Sequence, residues 1–227
     1  MKTGLLFIIL SFVTFVIDAQ VVEPKPYMTL KCAKSAVMSV AISPKGNVMA
    51  IGMAEYAELW DIDKGKRLQV LKHETPGGVK SISYVSFNPD GEFVCTIDYK
   101  GKRKVWNVSN GKEDKYLKNH STWLPDPDFV KNTLGLKISN TAFNRYYVML
   151  ESQHPNDKDI VARSSKKSSV VFENLANRSI EQELTFPGTK DRLHRFPVYF
   201  SPEGEIFVSG NEVGEVFLYK VATRSRY

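Results

Sequence analysis

Residues 37–72 read VMSVAISPKGNVMAIGMAEYAELWDIDKGKRLQVLK, and a blurred copy of this stretch returns along the chain. Ile42-Ser43-Pro44-Lys45-Gly46 comes back as Phe87-Asn88-Pro89-Asp90-Gly91 and again as Phe200-Ser201-Pro202-Glu203-Gly204. Each copy is followed, 17 or 18 residues after its second residue, by an aromatic and a polar partner: Trp60-Asp61, Trp106-Asn107 and Tyr219-Lys220. The trailing parts match too, Asp63-Lys64-Gly65-Lys66 with Ser109-Asn110-Gly111-Lys112 and Leu71-Lys72 with Leu117-Lys118. Proline presets one turn dihedral and glycine takes the positive φ that closes the turn, so Pro-x-Gly between short β-rich runs signals a hairpin.

The spacing predicts four strand-rich units. The first has strands at Val37–Ile42, Val48–Ile51, Tyr56–Ile62 and Arg67–Leu71, and the second at Ile82–Phe87, Phe93–Ile97, Arg103–Val108 and Lys115–Leu117. The third unit diverges. Leu136–Phe143 and Tyr146–Glu151 read as its first two strands, joined at Asn144-Arg145 without Pro-x-Gly, followed by Ser169–Asn174 and Glu181–Phe186. On that reading 28 residues separate Asn144 from Phe172, so about ten residues around Gln153–Lys167 are inserted between strands two and three. The fourth unit has strands at Phe196–Phe200, Ile206–Ser209 and Glu215–Val221. A period near 45 residues with several strands per unit is the mark of four-stranded propeller blades. The expected fold is therefore all-β, a β-propeller of about four four-stranded blades.

These motifs resemble the WD-repeat β-propeller family over residues 27–227, although only the first unit keeps Trp-Asp intact and the Gly-His lead-in is absent. Propellers with Ser-Pro-Asp-Gly turns, such as the TolB type, share the same turns. In family propellers one blade is built from both chain ends. Tyr27–Leu30 stands where it can supply the strand that the last unit lacks, which removes an exposed sheet edge. A closed four-bladed ring, an open arc and half of a larger ring all remain open at this point.

Ahead of the repeats, Met1-Lys2 gives a positive start and Leu5–Ile17 is apolar apart from Ser11 and Thr14. That run fits a secretory signal peptide, residues 1–19, cleaved after Ala19 and leaving residues 20–227 as the propeller domain. It is too short to span a bilayer comfortably, so no transmembrane span is expected after cleavage. The expected location is outside the cell, in the periplasm or cell envelope. A net charge of +6 suits an anionic neighbourhood such as envelope glycolipid or acidic polysaccharide, and equally ordinary solubility. Nucleic acid is not an expected partner of an exported chain. Two cysteines, Cys32 and Cys95, make no disulfide framework, and buried thiols are the expectation.

Catalytic constellations are missing from the pattern. His73, His120, His154 and His194 have no metal-ligand spacing, and no nucleophile elbow, phosphate loop or dinucleotide signature occurs. No cofactor is expected. The family resemblance implies a structural hydrogen bond within the blade for His73 and His194. Asp98 and Asn211 are read as turn caps, and Trp60, Trp106 and Tyr219 as packing between blades.

Recognition is expected at the end of the blades that carries the turns between strands two and three and the crossings between blades. The crossing 120–132 supplies Trp123, and the inserted loop supplies His154, Arg163, Lys166 and Lys167. The second blade's turn adds Lys100, Lys102 and Arg103. The resulting reading is a non-enzymatic, exported interaction platform for a protein or envelope glycan, with blade-to-blade self-association also open. Its rivals are an exported propeller enzyme cleaving glycans or lactones, and a few blades of a longer repeat protein.

Overall fold

A computed structural model describes residues 25–32, 35–73, 81–117, 123–124, 151–165, 169–186 and 196–221. The chain enters through β1 (Met28–Lys31) and then folds β2 (Val37–Ile42), β3 (Val48–Met53), β4 (Tyr56–Asp61) and β5 (Lys66–Lys72) into a first antiparallel sheet. The second sheet holds β6 (Ile82–Phe87), β7 (Phe93–Asp98) and β8 (Arg103–Asn107). The third holds β9 (Glu151–Gln153), β10 (Ile160–Ser164), β11 (Ser169–Asn174) and β12 (Ser179–Thr185). β13 (Val198–Phe200), β14 (Ile206–Gly210) and β15 (Glu215–Lys220) form the fourth, which β1 completes by pairing with β15.

The repeated turn motif explains why each sheet starts where it does. In the first, second and fourth sheets, the residue before proline closes the hairpin twice. Its backbone amide donates across the turn, Ser43 to Val48 at 2.7 Å, Asn88 to Phe93 at 3.0 Å and Ser201 to Ile206 at 2.8 Å. Its side-chain oxygen then accepts the amide of the same partner, at 3.1, 2.9 and 3.1 Å. Gly46, Gly91 and Gly204 sit at φ 74, 75 and 75°, a region that only glycine enters without strain.

Side chains alternate along each strand, and both faces of the inner sheets are covered, so β2 is buried along its whole length. Between the first and second sheets lie Ala50, Ala57, Leu59, Ile82, Val85 and Trp106. Between the first and fourth lie Met49, Ile51, Trp60, Leu30, Val216 and Leu218. Between the third and fourth, Phe172 meets Phe207 edge-on at 4.9 Å, in a cluster with Phe196, Phe200 and Phe217. The sheets thus follow one another in space as third, fourth, first, second, and no closed ring is seen among the described residues.

The proline turns stack in the same order. A Cβ added at Gly91 would lie 3.3 Å from Pro44, one at Gly46 3.6 Å from Glu203, and one at Gly204 2.6 Å from the His154 ring. All four first turns therefore share one end of the assembly.

Two expectations are corrected. The third sheet's first turn is His154-Pro155-Asn156-Asp157, not Asn144-Arg145: His154 donates its amide to Ile160 at 2.9 Å. β10 occupies the stretch expected to be an inserted loop, and Glu151 opens the first strand instead of closing the second. From His154 to Phe172 is 18 residues, the ordinary spacing, so the insertion vanishes. Leu136–Phe143 lies outside the described residues. The second correction concerns Lys115–Leu117, which is a turn. Glu113 makes a single bridge to Trp106, and Asp114 then accepts the amides of Tyr116 and Leu117, each at 2.9 Å, diverting the chain. Both cysteines are free; Cys95 is buried and Cys32 half-buried.

Among the described residues β1 pairs with β15 alone, so its hold depends on that strand and on Leu30, which is buried between the first and fourth sheets. Leu30→Ala is expected to cost about 2–4 kcal/mol in urea unfolding and to speed proteolysis of the fourth sheet. Unfolding indistinguishable from the parent protein would contradict the role given to this strand.

Candidate functional site

In a meander the first and third turns leave from one end of the strands, and the second turns and crossings from the other. At the latter end the second sheet carries a basic turn, residues 99–102, between β7 and β8. Asp98 is buried, and its Oδ1 accepts the amides of Lys100 at 2.9 Å and Lys102 at 2.8 Å. Gly101, at φ 82°, donates its amide to the Asp98 carbonyl at 2.9 Å. One carboxylate thus fixes the whole turn and leaves Lys100 and Lys102 exposed, with the Lys100 ammonium 5.5 Å from the Tyr99 ring centre.

The turn is anchored in the sheet's interior. Trp106 donates its indole N–H to Thr96 Oγ1 at 2.8 Å, and His73 Nε2 lies 2.6 Å from the same oxygen. With its proton on Nδ1, His73 points at Asp98 Oδ2, 4.0 Å away. His73 therefore has the structural role the resemblance implied. Lys104 is also buried: it pairs with Glu113 at 2.9 Å and lies 4.9 Å from the Trp106 ring centre. The first sheet solves the same problem differently. Buried Glu58 accepts the Trp60 indole N–H and an Arg67 guanidinium N–H, each at 2.8 Å. Burial, followed by the neighbouring Glu58, pushes the Cys32 thiol up to about 12.

The expected cluster divides. Lys100, Lys102 and Arg103 stand together. Trp123, outside the strands, packs against the same sheet and is half-buried, on Cys95 and Ile97 with Leu124 and Tyr84. His154 sits at the opposite end, in the third sheet's first turn. Its Nε2 donates to the Gly204 carbonyl at 3.1 Å, its Nδ1 accepts the Asn156 amide at 3.2 Å, and its ring meets Phe200 edge-on at 5.0 Å. This corrects its placement with the basic residues. Arg163 lies on β10 instead of in a loop, bonded to Glu151 at 2.8 Å and Glu173 at 2.6 Å. Lys166 and Lys167 lie outside the described residues. The sequence reading recognised the Asp98 cap but overlooked the His154 turn, whose signal was the 18-residue spacing to Phe172.

Among the described residues no group of three or more His, Cys, Asp or Glu could hold a metal ion. A shallow depression of ≈ 490 Å³ lies by Phe93, Asn107, Lys112 and Glu113. Another, of ≈ 310 Å³, lies between the first turns of the first and fourth sheets, by Lys45, Asp63, Glu203 and Glu205. Both open to solvent. No helix of the described residues is long and apolar enough to cross a membrane.

No family model matches the chain. It is 31% identical over 132 residues to a coronin-like protein of Saccharomyces cerevisiae, which covers 54% of this chain and 20% of that protein. It is 31% identical over 83 residues to the periodic tryptophan protein 2 homolog of Mus musculus, covering 37% and 9%. The chain therefore spans a small part of the length of these relatives. Both are WD-repeat proteins, and their likeness together with the antiparallel four-stranded sheets fits a WD-repeat propeller.

Thr96 is the shared oxygen of the second sheet's network. Thr96→Val is expected to cost about 1–3 kcal/mol by stranding the Trp106 and His73 nitrogens, and to speed amide exchange at Lys100 and Lys102. Unchanged exchange there would uncouple the turn from the core. Burial also raises Cys95 from its ordinary 9.0 to about 12. The folded thiol keeps a proton that the unfolded one loses, so this contribution to stability is full below pH 9 and fades as pH climbs from about 9 toward 12. Native Cys95 is accordingly expected to resist iodoacetamide at pH 8; rapid alkylation without unfolding would contradict its burial.

Proposed function

We propose that this chain is an exported, non-enzymatic propeller that binds an anionic segment of a partner protein at the end carrying the basic turn 99–102. The observation that supports this reading most strongly is the double capping of that turn by Asp98, which fixes the backbone from which two exposed lysines project. A pre-organised turn spends little backbone entropy on binding, and its cations steer an oppositely charged partner during encounter. The likeness to two WD-repeat proteins supports an interaction propeller. A carboxylate-rich envelope glycan is the other ligand of the same chemistry. Export rests on the apolar run Leu5–Ile17 that ends at Asp18-Ala19-Gln20.

Binding to polyglutamate and to a uronic-acid polysaccharide, followed by biosensor at two salt concentrations, separates these ligands. The double variant Lys100→Glu/Lys102→Glu is expected to slow association about tenfold while leaving the melting curve in place. Salt should weaken the parent protein's binding more than the variant's. Equal association rates for parent and variant would overturn the proposed site. For export, N-terminal sequencing of material secreted from the full-length chain is expected to begin at Gln20. An intact Met1 on a membrane-bound product would overturn it.

A further inference from the structure

Two outer strands of this molecule carry opposite charge. Among the described residues β5 ends the first sheet and β12 ends the third, and most of their side chains are exposed; on β5, Gln69 donates to the Ser109 carbonyl at 3.2 Å and the Lys72 carbonyl accepts from Lys104 Nζ at 3.5 Å. β5 reads KRLQVLK and presents Lys66, Arg67 and Lys72; β12 reads SIEQELT and presents Glu181 and Glu183. Each edge also exposes apolar side chains, Leu68 at 42% and Val70 at 36% on β5, and Ile180 at 63% on β12.

We propose that β5 of one copy pairs with β12 of a second copy, so that the protein associates head to tail through its sheet edges. Charge decides between the pairings open to these strands. β5 against β5 sets lysines and arginine against their like, and β12 against β12 sets glutamate against glutamate. Only the mixed pairing brings opposite charges across the junction. The backbone agrees with it. Each edge strand contains one β-bulge, at Leu68 between the residues facing Trp60 and Leu59, and at Glu181 between those facing Glu173 and Phe172. Bulges normally spoil edge pairing, but here an antiparallel alignment sets the two side by side, Leu68 opposite Gln182 and Gln69 opposite Glu181. It places Val70 opposite Ile180 and Arg67 opposite Glu183. Arg67 and Val70 share one face of the first sheet, as Ile180 and Glu183 share one face of the third. Arg67 gives one guanidinium nitrogen to Glu58, and about half of its side chain is exposed. A contact between two different patches leaves one patch free on each end copy, so further copies add and the products run past the dimer, as a ladder of sizes or a closed ring.

The proposal uses the edges of the first and third sheets and stands apart from the basic turn. Sedimentation velocity of the full chain over a concentration series should show the weight-average mass rising past the dimer, less steeply at high salt. Lys66→Glu/Lys72→Glu and Glu181→Lys/Glu183→Lys are each expected to weaken self-association about tenfold or more, with melting curves near the parent's. The decisive arm mixes the two variants: one now has two edges without net positive charge, the other two positive edges, and the mixture should associate more strongly than either alone. A chain that stays monomeric at every concentration overturns the proposal and leaves β5 to a strand of another protein. Association that ignores both reversals, or is not restored on mixing, overturns it as well.

Discussion

The first hairpin turn of each sheet is the constraint from which the rest follows. A strand-to-strand reversal that begins at a buried residue leaves amides that must find partners, and an unpaired buried one costs about 1–3 kcal/mol. Ser43, Asn88 and Ser201 answer this with a side-chain oxygen that takes the amide across the turn. The proline and glycine beside them settle the backbone. Because each turn also lies against the turn of the next sheet, local closure and inter-sheet spacing are fixed by the same few residues. His154 shows the same economy in another form: its imidazole caps its own turn through the Asn156 amide and reaches the neighbouring sheet through the Gly204 carbonyl.

Between the turns the sheets are glued by size matching rather than by one uniform core. Alanines 50 and 57 let the second sheet approach the first, whereas a cluster of phenylalanines fills the space between third and fourth. Two groups of interior polar side chains are tied in threes. Thr96 serves Trp106 and His73, and Glu58 serves Trp60 and Arg67. Such networks rigidify the strand ends, and the stiffness of the basic turn at 99–102 is inherited from Asp98 at the margin of one of them. This links the interior of the second sheet to the proposed recognition surface.

The first, second and fourth sheets were legible because Pro-x-Gly marks a turn that physics leaves few residues able to make. The third was misread for the same reason. Its turn from His154 to Ile160 is one residue longer than the turn from Ser43 to Val48, and it does without the glycine at positive φ. The distance from turn residue to third-strand aromatic, 18 residues in both His154–Phe172 and Asn88–Trp106, held the information that the motif lacked. The strand expected at Lys115–Leu117 was hidden differently: the stretch copies the first unit's Val70-Leu71 pattern, but Asp114 caps its backbone into a turn. The charged residues were found individually, yet their grouping depended on which turn each occupied, so Arg163 and His154 were misplaced along with the strand between them.

Amide hydrogen exchange across β10 tests this account most directly. If His154 begins the third sheet's hairpin, the amides within Ile160–Ser164 that pair with β9 and β11 are protected, to a degree comparable with those of Val48–Met53 in the first sheet. Exchange throughout 160–164 at the rate of an open loop would contradict it, restoring an insertion where a strand is described.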